Sequence, residues 1–135
     1  MNNEVESVEL VKSYLNEHNK ERVKKSIKKV HFLYLLGEYR KHIDKDMILR
    51  EGYKKSIRTC LKRIEDFVFI YQNKVKYNLL VTDIDEDFQD GLLKHLSSLN
   101  EQPSTIRKRF KILVSLINWC RERGYTNHQI KVKKF

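Results

Sequence analysis

An all-α fold is what this sequence predicts, and three features predict it. Apolar residues recur every three or four positions through several long stretches, the spacing that puts them on one face of a helix. Only one proline and four glycines occur among 135 residues, so little interrupts those stretches. Strict alternation of apolar and polar residues, the mark of a half-buried strand, is missing. YNLLV at 77–81 is the single strand candidate, and it is short. The pattern resolves into four core helices preceded by a short one, a four-to-five-helix orthogonal bundle. At this length one modest core and one domain are expected.

The short helix spans roughly 4–18, where Val5, Val8, Val11 and Leu15 share a face. HNKERVKKSIKK follows, with six Lys/Arg around a single Glu, and reads as a linker or a phosphate-tracking arm. Residues 1–29 are therefore taken as short helix plus basic arm. From Val30 to Asp44 the apolar density rises through Phe32, Leu33, Leu35, Leu36, Tyr39 and Ile43, which predicts the first core helix despite Gly37 inside it. DKDMILREG connects it onward, with Met47, Ile48 and Leu49 expected against the core and Gly52 as punctuation.

The second long helix is expected from Tyr53 to about Asn73, burying Tyr53, Ile57, Cys60, Leu61, Ile64, Phe67, Val68 and Tyr71. Lys54, Arg58 and Lys62 stand together on its other side, with Lys55 at the flank. Such a ridge can follow phosphates, and it is also the commonest pattern of an ordinary solvated face. A loop then leads to a strong helix start: Thr82 or Asp83 can cap, and Asp85, Glu86 and Asp87 complement the positive end of the helix dipole. That helix runs to about Ser98 with Ile84, Phe88, Leu92, Leu96 and Leu99 inward. The acidic run is not a calcium loop, because the central glycine and the glutamate at position twelve are missing.

Pro103 to Gly124 is the helix around which the others are expected to gather. Pro103, Ser104 and Thr105 favour a helix start, and Arg121, Arg123 and Gly124 favour its end. Ile106, Phe110, Leu113, Val114 and Ile117 form one stripe, widened by Ile112, Leu116 and Trp119. The opposite face carries Ser104, Arg107, Lys108, Lys111, Ser115 and Asn118. Residues 128–135 form a basic tail with no core of their own.

Charge is unevenly placed. The chain carries a net +10, and residues 103–135 hold nine Lys/Arg against one Asp/Glu, a net of +8. Such asymmetry points to a polyanion, nucleic acid first and an acidic membrane surface second. No apolar run is long enough to cross a membrane, and MNNEVESVEL lacks the pattern of a signal peptide. Cys60 and Cys120 fall on apolar helical stripes, so a reduced, cytoplasmic setting is expected.

Catalytic patterns are missing. His18, His31, His42, His95 and His128 do not pair with cysteine or carboxylate at metal spacing, and no phosphate-binding glycine loop or nucleophile elbow occurs. Tyr14, Tyr34, Tyr53 and Tyr71 sit at core-like positions without a set of cations to stabilise a phosphoryl transition state. No metal, cofactor or catalytic residue is expected.

The order REGYKKSIRTCLKRIEDF, LLVTDIDEDFQDGLLKHL and PSTIRKRFKILVSLINWCRERGYTN resembles the core-binding, SAM-like domain of tyrosine recombinases, above all phage-type integrases. The resemblance spans about 30–127, and its most specific block is the last. In that family this helical domain and a catalytic domain clamp duplex DNA between them. The resemblance implies phosphate contacts for Lys54, Lys55, Arg58 and Lys62 on the second helix. On the last helix it implies them for Ser104, Thr105, Arg107, Lys108 and Lys111. It implies further recombinase protomers as partners on DNA, with the isolated domain monomeric. The family's catalytic arginine, His-x-x-Arg and tyrosine have no counterpart here, so the chain is expected to be a non-catalytic portion of a recombinase. The rival readings are a helical protein-interaction module and a non-catalytic DNA-binding regulator of the same fold.

Overall fold

The structure, a computed structural model, describes residues 30–127 and Lys131. The helix expected over 4–18, the basic arm and nearly all of the tail lie outside the described residues. Among those described, every regular element is helical. α1 spans Phe32–Lys45, α2 Glu51–Val75, α3 Glu86–Ser98 and α4 Pro103–Glu122, with a short 3-10 turn at Val81–Asp83 between α2 and α3. The all-α, four-helix core is thus present, and YNLLV forms no strand. α2 and α4, the two longest helices, each pack against all three of the others.

The apolar stripes meet in one core. Leu35, Leu36, Leu61, Ile64, Leu92, Leu96, Leu113 and Leu116 are fully buried. Rings of α1, α2 and α3 interlock around Phe88, which meets Phe32, Phe67 and Tyr71 edge-on at centroid distances of 6.3, 5.2 and 5.3 Å. α2 and α3 approach closely there because position 91 has no side chain: a Cβ on Gly91 would sit 2.6 Å from Cζ of Phe67. The loop after α2 contributes as well. Leu79 and Val81 are buried, and the Leu79 carbonyl accepts from the Phe32 N–H at 2.8 Å, closing the start of α1.

Helix ends follow local chemistry with some changes of residue. Asp85, not Thr82 or Asp83, caps α3, its Oδ1 accepting from the Phe88 N–H at 2.9 Å. Asp83 instead accepts from the Leu80 N–H at 2.8 Å and tightens the 3-10 turn. Gln102 is the N-cap of α4 and makes no side-chain cap bond, so Ser104 and Thr105 lie within the first turn and do not cap it. At the other end Gly124 takes φ 78°, where a side chain would be strained, and the Tyr125 N–H reaches back to the Cys120 carbonyl at 2.9 Å.

Several residues expected inside are outside. Tyr34, on α1, and Tyr53, in the first turn of α2, are half-exposed. Val114 and Leu99 lie at the margin of the core, and Met47 and Ile48 stand in solvent. Leu49 alone of that trio packs against the core.

Candidate nucleic-acid interface

Basic side chains of two helices were expected to meet phosphates, and the bundle treats the two sets differently. On α4 the core takes Ile106, Arg109, Phe110, Ile112, Leu113, Leu116, Ile117, Trp119 and Cys120. What remains toward solvent is a strip holding Ser104, Arg107, Lys108, Lys111, Ser115, Asn118 and Arg121, all exposed, with Val114 at its margin and a single acid, Glu122, at its C-terminal end. Thr105 is half-buried at its edge. No carboxylate among the described residues lies within ion-pair distance of Arg107, Lys108 or Lys111. With Pro103 at the first helical position, the N–H groups of Ser104 and Thr105 open the strip without intrahelical acceptors.

The ridge on α2 is largely compensated by the protein itself. Arg58 bonds Asp44 of α1 at 3.3 Å and also pairs with Glu51. Lys62 lies 3.1 Å from Asp66 and 3.7 Å from Glu65. Lys54 donates to the Asp44 carbonyl at 3.3 Å. Lys55 is exposed and makes no ion pair among the described residues. The ridge therefore leans toward α1, whereas the opposite flank of α2 meets α4: the Cys60 thiol donates to the Arg109 carbonyl at 3.6 Å, and Arg63 reaches Glu101 at 3.4 Å. Lys54, Arg58 and Lys62, spaced by four, keep to one face of α2.

One cluster escaped the sequence reading. Glu101, in the turn before α4, has its side chain only 7% exposed, and both its oxygens accept from Arg109, Nε at 3.3 Å and Nη2 at 3.2 Å. Arg63 shares the second oxygen from α2. The signal was present: position 109 falls on the apolar stripe between Ile106 and Leu113, and a cation there requires a buried counter-charge.

Burial pushes the Cys60 and Cys120 thiols and the Tyr39 hydroxyl each up to about 12, the reverse of activation. Among the described residues no group of His, Cys, Asp and Glu gathers at metal-binding distance, and no helix is long and apolar enough to cross a membrane.

No curated protein and no solved structure matches the chain. The sequence model of the phage integrase SAM-like domain, however, matches residues 6–134. That span takes in all four helices and both basic faces. The chain belongs to the phage integrase SAM-like domain family.

Proposed function

We propose that this domain binds duplex DNA as the core-site clamp of a tyrosine recombinase, the strand exchange being carried out by a catalytic domain that contributes the arginines and the tyrosine. The observation that carries the reading is the α4 strip: Arg107, Lys108 and Lys111 stand in solvent without a carboxylate neighbour. A protein that needed charge only for solubility would intersperse both signs there. Phosphates are the partner such a strip lacks, with the Ser104 and Thr105 N–H groups available at its head. On α2, Lys55 supplies a further unpaired cation, and Arg58 would have to exchange its carboxylates for phosphate. The domain works in the cytoplasm, beside further recombinase protomers on the same DNA, and by itself has no catalytic role.

Fluorescence anisotropy on a random-sequence duplex, titrated at several salt concentrations, tests this. Neutralising about four to six phosphates gives a slope of log K on log[salt] near −4 to −5, with Kd of roughly 10⁻⁴ to 10⁻⁶ M at physiological salt. Lys108→Gln with Lys111→Gln should flatten the slope by about 2 and weaken binding alike on any sequence, since phosphate contacts carry no base information. Arg58→Gln should flatten it less, because Asp44 and Glu51 already occupy that guanidinium. An unchanged slope in the double variant would remove α4 from the interface. A chain that ignores DNA yet binds acidic proteins would leave the interaction-module reading in its place.

A further inference from the structure

The connection between α1 and α2 exposes Met47 to 96% and Ile48 to 91%, the two most exposed large apolar residues described. The segment is nonetheless held. Oδ1 of Asp46 accepts from the Ile48 N–H at 2.7 Å and the Leu49 N–H at 2.9 Å, and the Asp46 N–H donates to the Ile43 carbonyl at 3.1 Å. Leu49 then anchors the far side in the core. The backbone is thus fixed on both sides of the pair, and both side chains stand in solvent.

Charge around this projection favours one kind of partner. Lys45 and Arg50 flank it, and Lys54 and Lys55 follow in the first turn of α2. The nearby carboxylates are already engaged, Asp44 and Glu51 by Arg58 and Asp46 by the two backbone amides. An apolar tip ringed by cations complements a DNA groove, where phosphates line the rims and thymine methyl groups face outward from the floor.

We propose that Met47 and Ile48 enter the groove beside phosphates held by Lys54 and Lys55 and pack on thymine 5-methyl groups, giving the domain a preference that its phosphate contacts cannot supply. This rests on the duplex-binding reading. Met suits the role, being flexible enough to fit an irregular apolar surface.

The test compares binding of the 135-residue chain to an alternating A·T duplex and to the same duplex with uracil in place of thymine, which differs only by the methyl groups. Losing each contacted methyl should weaken binding about fourfold, the effect of one buried methyl-sized group. Met47→Ala with Ile48→Ala should abolish the difference between the two duplexes and leave the salt slope and the melting temperature unchanged. Equal wild-type affinity for both duplexes, with a normal salt slope, would overturn this inference and spare the duplex-binding reading. Failure to bind either duplex at low salt would overturn both. Self-association that the double variant abolishes, with the thymine preference intact, would assign the pair to a second copy of this chain and overturn the proposal equally.

Discussion

Glu101 shows how much a single side chain can organise here. It places one buried carboxylate between a guanidinium of α4 and one of α2, so the turn before α4 is fastened to both long helices. Such a cluster adds little net stability when whole, because desolvation offsets attraction, but breaking it leaves a charge stranded. Glu101→Ala should therefore destabilise the domain by about 3–5 kcal/mol, since Arg109 is nearly enclosed. Arg63→Gln should cost about 1 kcal/mol or less, because that side chain is 38% exposed and Arg109 still satisfies Glu101. Urea denaturation of the two variants checks the order. Equal losses would mean that the Arg63 contact carries the cluster's stability, against this ordering.

At the scale of the element, α4 divides into two faces with different duties. Phe110 and Ile117 are each 2% exposed and belong to the core, whereas Ser115 points outward between the strip's cations. Phe110→Ala and Ile117→Ala should each lower stability by about 2–5 kcal/mol, and Ser115→Ala should be nearly neutral. Thermal melts read this directly, and the reverse order would mean the helix is rotated. α2 is less cleanly divided. Its cations sit beside acids of α1 and of its own next turn, so its solvent face is an ion-pair lattice more than a positive strip. The asymmetry makes α4 the principal electrostatic face of the described residues.

The whole molecule carries a signature on the alkaline side. Burial raises Cys60 and Cys120 from the ordinary 9.0, and Tyr39 from 10.0, each to about 12. The folded protein therefore keeps three protons that the unfolded chain releases earlier. The stability tied to them is complete below pH 9 and is lost as pH rises from 9 toward 12. Cys60 alone contributes at most about 1.4 kcal/mol per pH unit in that window. The urea midpoint should fall steadily from pH 9 to 11, and Cys60→Ala should make the fall shallower whatever it does to stability at neutral pH. A parallel decline in both proteins would mean that other groups set the alkaline limit.

Much of this architecture was legible in the chain before any coordinates. The spacing of Phe32, Leu35, Leu36 and Tyr39, of Ile57, Cys60, Leu61 and Ile64, and of Ile106, Phe110, Leu113 and Ile117 sets both the helices and the faces they bury, because a 3.6-residue period leaves little choice of side. The positive character of the last quarter is a matter of composition, and the same helical period selects Arg107, Lys108 and Lys111 as outward cations. What needed the tertiary structure was pairing over distance. Arg58 meets Asp44 only because the α1–α2 turn brings together residues fourteen apart, and the buried cluster forms only because Arg109 of α4 and Arg63 of α2 converge on Glu101 in the turn between α3 and α4. Met47 and Ile48 stand outside for a related reason. Local hydrophobicity says that a residue gains by burial, but whether a place is open for it depends on neighbours elsewhere in the chain, and of these three only Leu49 packs against the core.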